Sequence, residues 1–181
     1  MEGLYFIAVV PPADIRDRIT AIKQRVRKEY GSAHALRSPP HITLHMPFKW
    51  KEEKLPILTE AIERVTRENR PFDIHLKDFD CFPPRVIYVD VAPNADLAKL
   101  RHEVVAGMRR LHVLNADYKF KAFHPHVTIA FRDLRKAAFH KAWAYYQDQK
   151  LDFEFQVRGI ELLRHDKHCW ELFQTFELTG H

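Results

Sequence analysis

Two stretches, Pro40-His41-Ile42-Thr43-Leu44 and Pro125-His126-Val127-Thr128-Ile129, share one pattern: proline, histidine, apolar, threonine, apolar. No other feature of this 181-residue chain constrains its fold as much. Read as β-strands, each sends its histidine and threonine to one face and its apolar residues to the other. Burying both apolar rows brings strands from opposite halves of the chain together, so that two imidazoles and two hydroxyls share one surface. In a chain with 12 histidines, roughly half of one His-x-Thr arises by chance, so a single copy would mean little. Repetition of all five positions is far rarer.

The rest of the chain supplies the scaffold. Leu4 to Val10 is β-branched and aromatic and stops at Pro11-Pro12, which reads as a buried strand. Asp14 offers an N-cap to a helix with Ile15, Ile19, Ile22 and Val26 inward and a basic face of Arg16, Arg18, Lys23, Arg25 and Arg27. That face suits solvent better than RNA. His41 to Met46 is the first motif strand, ended by Pro47-Phe48-Lys49-Trp50, and a helix follows from about Glu52 to Glu68. Phe72 to Lys77 and Val86 to Val91 form a hairpin across Cys81 to Arg85. Asn94 caps a third helix, and a loop around Asn115 to Phe123 leads to the second motif strand, His124 to Phe131. A helix from about Leu134 to Gln147 and three strands, around Phe153 to Val157, Ile160 to Leu163 and Trp170 to Leu178, complete the chain. The order β α β α β β α β α β β β predicts an α+β fold of mostly antiparallel sheet backed by helices.

The paired motifs suit acid–base chemistry on a phosphodiester. An unperturbed histidine titrates at about pH 6.5, so one neutral and one protonated ring can coexist near neutrality. One imidazole takes a proton from the attacking oxygen and the other gives one to the leaving oxygen. Thr43 and Thr128 donate hydrogen bonds to the non-bridging oxygens. Two half-buried structural histidines would explain either motif alone, but explain the pair poorly. His45 and His124 extend the two rows, and His41, His45, His124 and His126 together would suit zinc, with no carboxylate or cysteine in the rows to favour it. Strand-end positions, solvated or supporting the active histidines, fit His45 and His124 better. Arg132 and Arg85 are candidate phosphate contacts, and Phe48 and Trp50 candidate base-stacking rings, although aromatics in such places are more often core.

Composition narrows the setting. Hydrophobic residues make up 46% and charged residues 29%, as expected of a globular protein, and the length fits one domain or two small lobes. A net charge of +5 is compatible with an anionic partner without requiring one. Cys81 and Cys169 are the only cysteines, which argues against a disulfide framework or a cysteine-based zinc site and suits a reducing cytoplasm. Leu4 to Val10 is too short to span a membrane, and it follows Glu2 where a signal peptide would be basic.

The paired His-x-Thr motifs, half a chain apart, resemble those of the 2H phosphoesterase superfamily, and most closely its bacterial 2′-5′ RNA ligase-like group. The resemblance covers the opening strand Tyr5 to Val10, His41-Ile42-Thr43-Leu44, the strands around Cys81 to Val91, and His126-Val127-Thr128-Ile129. It implies a bilobal α+β domain spanning 1–181, with pseudo-two-fold symmetry and one motif per lobe at a central cleft. It implies His41 and His126 as the acid–base pair and Thr43 and Thr128 as phosphate clamps. The implied enzyme needs no metal or cofactor and acts as a cytoplasmic monomer. It opens 2′,3′-cyclic phosphates at RNA or nucleotide ends, cleaves 2′-5′ linkages, or joins RNA ends. In ligase-like members an arginine closely follows the second motif; here Ala130 and Phe131 precede Arg132, and a one-residue shift on a strand reverses its facing. Hydrolysis is therefore expected ahead of ligation, with a noncatalytic RNA-binding module or a metal-dependent hydrolase as the competing readings.

Overall fold

The computed structural model describes residues 1–114 and 122–180. The elements are β1 (Glu2–Val9), α1 (Ala13–Tyr30), a 3₁₀ turn (His34–Arg37), β2 (Ile42–Lys51) and, after a second short turn, α2 (Leu55–Arg67). There follow β3 (Phe72–Phe82), β4 (Val86–Val91), α3 (Ala95–Arg110), β5 (His126–Ala130) and α4 (Lys136–Tyr146). The chain closes with β6 (Asp152–Val157), β7 (Gly159–His165) and β8 (Trp170–Glu177). This is the expected order. Most of the loop anticipated around Asn115 to Phe123 lies outside the described residues.

The strands form two four-stranded sheets, β2-β1-β7-β8 and β5-β4-β3-β6, and every pair within them is antiparallel. The fold is α+β and bilobal, with one motif strand at the edge of each sheet. The connections interlock the halves. Helix α1 joins β1 to β2 yet packs on β5, while α3 joins β4 to β5 yet packs on β2. Each motif strand is therefore backed by the helix of the opposite half, and β2 and β5 meet between the sheets.

Alternation sorts the strand residues as the sequence predicts. Tyr5, Ile7 and Val9 of β1 enter the main core with Ile42, Leu44, Val127 and Ile129, while Phe6 and Ala8 point to the other face with Leu163. Asn94 caps α3, its side-chain oxygen accepting from Leu97 N at 2.9 Å. Helix α1 departs from expectation at its N-cap and at Lys23. Its N-cap is Pro12, which makes no side-chain bond, and Asp14 sits inside the first turn, where a carboxylate favours the helix dipole without capping. Lys23, expected on the polar side, is 2% exposed.

Several strands differ in length from those expected, and three of the differences bear on the site. β2 runs on through Pro47 to Lys51 because it is an edge strand, where a missing N–H need not break a ladder. β3 extends to Phe82 past an irregularity near Asp78, which adopts φ 58°. The Asp78 carboxylate secures that distortion by accepting from Leu151 N at 3.1 Å. β5 is confined to His126–Ala130.

Candidate active site

His41 lies immediately before β2, and His126 is the first residue of β5. Their settings match. His41 Nδ1 is 2.8 Å from the Pro39 carbonyl oxygen, and His126 Nδ1 is 2.7 Å from the His124 carbonyl oxygen. A carbonyl only accepts, so Nδ1 carries the hydrogen in both rings, leaving Nε2 to accept or donate the working proton. Each ring also rests on an aromatic of the neighbouring strand, His41 on Phe6 at 4.8 Å and His126 on Tyr88 at 5.0 Å. Backbone and ring contacts together fix the orientation of both imidazoles.

The four motif side chains are partly exposed, while the apolar residues between them are buried. Thr43 lies opposite Ala8 and Thr128 opposite Tyr88. Thr43 and His126, from different sheets, line one cavity of about 240 Å³ with Leu44, Met46, Phe82, Arg101 and the 122–125 segment. The histidines also interact through charge. Burial pushes the His41 imidazole down to about 4, the Pro39 carbonyl opposes this, and positive charge on Lys23 and His126 lowers it further. His41 is thus neutral at physiological pH, the state in which Nε2 accepts a proton.

The neighbouring histidines depart from the simple row. A bulge sets Ala8 opposite Thr43 but Ile7 opposite His45, with Leu44 as the extra residue. One inserted residue reverses facing, so His45 turns into the core, where it is fully buried, and packs on Phe48 at 5.3 Å. It is neither at a strand end nor solvated. The four-histidine zinc arrangement is therefore not assembled, and the described residues hold no group of three or more His, Cys, Asp or Glu poised as a metal site. His124 is half-exposed, accepts from or donates to the Tyr88 hydroxyl at 3.0 Å, and orients His126 through its own carbonyl.

The softer candidates separate. Phe48 is 7% exposed and packs on Tyr5, so it is a core ring with no face for a base. Trp50 is half-buried, with its indole N–H bonded to the Lys54 carbonyl at 2.9 Å. Arg85 is exposed in the β3–β4 turn, and neither it nor Arg132 lines the cavity beside His126. Strand parity does not govern Arg132, because β5 has already ended. Asp133 N bonds to Phe131 O at 2.8 Å across Arg132, whose φ of 60° makes this the strained form of γ-turn.

That turn aims a residue the sequence reading missed. The Asp133 carboxylate accepts from Ser32 Oγ at 2.7 Å, Ala33 N at 2.9 Å and His34 N at 3.0 Å. Desolvation pushes its carboxyl up, but these hydrogen bonds outweigh it and hold the group below its ordinary range. Lys23 grips the same segment from the other side, its Nζ donating to Ala35 O at 2.9 Å and Ser38 O at 3.0 Å. Burial lowers the Lys23 amine to about 7. The Lys23 amine and the Asp133 carboxylate thus pin the 3₁₀ turn leading into Pro39 and His41. Lys23 left a trace in the sequence, falling on the apolar stripe four residues after Ile19 and three before Val26. Asp133 left none.

Comparison with known proteins agrees with this architecture. The family model described as the 2′-5′ RNA ligase superfamily matches residues 11–168. A protein of Geobacillus kaustophilus, provisionally named a phosphoesterase, is 32% identical over 179 residues, covering 97% of this chain and 96% of that relative. A similarly named Oceanobacillus iheyensis protein is 30% identical over 177 residues, covering 96% and 97%. Among solved structures, E. coli LigT complexed with 3′-AMP superposes with a TM-score of 0.75 at 19% identity, covering 99% of each chain. A Thermus thermophilus protein gives 0.69 at 24% identity, covering 98% of this chain and 99% of that one. At such identities the solved structures establish likeness of fold.

Proposed function

We propose that this chain, which belongs to the 2′-5′ RNA ligase superfamily, opens 2′,3′-cyclic phosphates at RNA or nucleotide ends, or cleaves 2′-5′ linkages, by acid–base catalysis between His41 and His126. The observation that carries the reading is the matched Nδ1–carbonyl bond in each motif, which leaves Nε2 of both rings as the working atom. In the proposed reaction neutral His41 takes a proton from water as its oxygen bonds to phosphorus. The bond from phosphorus to a ribose oxygen breaks, and His126 protonates that oxygen as it leaves. Thr43 and Thr128 donate to the non-bridging oxygens, where negative charge accumulates. An anionic phosphodiester beside His41 offsets part of the burial effect on its ring and strengthens it as a base.

The scheme balances without a metal or cofactor. Ligation is the same chemistry with an RNA hydroxyl in place of water. The complex of LigT with 3′-AMP supports a nucleotide-sized substrate here. The two cysteines are free thiols, which suits a reducing compartment such as the cytoplasm.

The test is turnover by wild type, His41→Ala and His126→Ala of 2′,3′-cyclic nucleotides and a cyclic-phosphate-ended RNA, with and without EDTA. Wild type should turn over in EDTA, and each variant should lose about 10²–10⁴-fold. RNA affinity without turnover would point instead to a binding module, and inhibition by EDTA to a metal-dependent enzyme.

A further inference from the structure

Two arginines on the basic face of α1, expected to face solvent, instead lie over aromatic rings. The Arg18 guanidinium sits 4.5 Å above Phe153 of β6, and that of Arg25 sits 4.6 Å above Tyr145 of α4. Both pairs line a groove of about 470 Å³, together with Phe79 and Tyr146. That volume is within the roughly 300–1,000 Å³ of ligand sites. Phe79, Tyr145 and Phe153 are only partly buried. The groove lies at β6, three strands across its sheet from β5, so at about 4.8 Å per strand it is roughly 14 Å from the second motif. Most charges beside it are answered within the protein. Arg25 bonds to Glu29 at 2.9 Å, Lys150 lies 3.3 Å from Asp78, and Asp152 lies 2.7 Å from His75. Arg18 is the exception: among the described residues it has no carboxylate partner. A guanidinium over a ring keeps N–H donors at its rim for an anion. Tyr146 supplies a second, independent sign. Its hydroxyl is buried without a hydrogen-bond partner among the described residues. Burial pushes the phenol up to about 12, so it keeps its proton and can donate. An unpaired buried donor is costly, and an acceptor on a ligand would pair it.

We propose that this groove is a binding site for single-stranded RNA, separate from the catalytic cleft, in which bases stack on the partly exposed rings and a phosphate meets Arg18. Interleaved aromatic rings and cations serve a base and its phosphate in turn, and such surfaces tolerate any sequence. The choice of RNA over another anionic chain rests on the function proposed above; the groove itself does not. A second grip on the strand raises affinity for RNA without touching the reacting atoms. It therefore lowers KM for RNA and leaves cyclic mononucleotides unaffected.

The experiment measures binding of a fluorescein-labelled oligoadenylate of roughly 12 nucleotides, ending in a linear 3′-phosphate, by anisotropy across a salt series. Phe153→Ala should weaken binding roughly 5- to 150-fold, the range for loss of one stacked base. Arg18→Ala should weaken it and make the slope of log K against log salt shallower by about 0.7, the share of one phosphate contact. Arg18→Lys should keep that slope. Tyr146→Phe should weaken binding without destabilising the fold, which guards against a packing defect in Phe153→Ala. His126→Ala, in the catalytic cleft, should still bind the RNA, and Arg18→Ala should turn over 2′,3′-cyclic AMP at the wild-type rate. RNA binding unchanged in Arg18→Ala and Phe153→Ala, or lost with His126→Ala instead, would overturn the groove site while leaving the two-histidine reaction intact. A wild type that turns over cyclic nucleotides but binds no RNA would overturn it too. RNA bound through Arg18 by a wild type without turnover would support the groove and overturn the proposed reaction.

Discussion

Lys23 makes the buried side of this site measurable. Its amine is 2% exposed and gives its hydrogen bonds to carbonyls of the 3₁₀ turn rather than to a carboxylate. In the folded chain it titrates at about 7, whereas an unfolded lysine titrates near 10.4. Between those values the unfolded state holds a proton that the folded state lacks, so stability rises with pH. The contribution is complete above the unfolded value and disappears as pH falls through 7. Each pH unit in the window is worth about 1.4 kcal/mol, so pH 7.5 to 9.5 should add about 2–3 kcal/mol. Glu161, which burial pushes up to about 7, gives the opposite slope below that window. Lys23→Met fills the same space without an amine and leaves the buried Ala35 carbonyl unpaired, at a cost of about 1–3 kcal/mol at high pH. Urea unfolding of both proteins at pH 7.5 and 9.5, at constant ionic strength, should show the wild-type advantage growing by about 2–3 kcal/mol with unchanged m-values. A difference that stays constant across that range would refute the assignment of a neutral buried amine.

Two further outcomes follow from the same geometry. If His41 is the base, activity falls as its ring gains a proton, so the acid limb of kcat/KM should lie near pH 4–5 rather than near the about 6.5 of a free imidazole. A limb at the ordinary histidine value would rule out the desolvated, neutral ring. Asp133→Asn keeps shape but removes the charge that collects three hydrogen bonds. It should cost about 1–2 kcal/mol of stability and lower kcat roughly tenfold with little change in KM, since small misplacements of a catalytic group cost up to about 10²-fold. Wild-type kcat in that variant would remove Asp133 from the positioning of His41.

Much of this protein was legible from local pattern, and particular residues show where that pattern stopped. The doubled Pro-His-x-Thr motif, the alternation of β1, the cap at Asn94 and the order of elements all depend on neighbours within a few residues, which a sequence displays directly. They sufficed for the α+β class, for the pairing of His41 with His126 as an expectation, and for the superfamily. His45 escaped because parity assumes an unbroken pleat, and the bulge at Leu44 inserts one residue into β2. Phe48 and Arg132 escaped similarly: β2 continues through its proline at a sheet edge, whereas β5 stops before the γ-turn that carries Arg132. Lys23 reaches the turn across 12 and 15 residues by folding of the helix against it, whereas Asp133 reaches it across 101 residues and only once the lobes interlock. The cavity beside His126 draws its walls from β2, β3, α3 and the segment before β5, a set that no local period connects. Sequence alone determined which chemistry-bearing residues and which elements exist. Their facing, burial and company were decided by tertiary packing, because those depend on long-range register and desolvation.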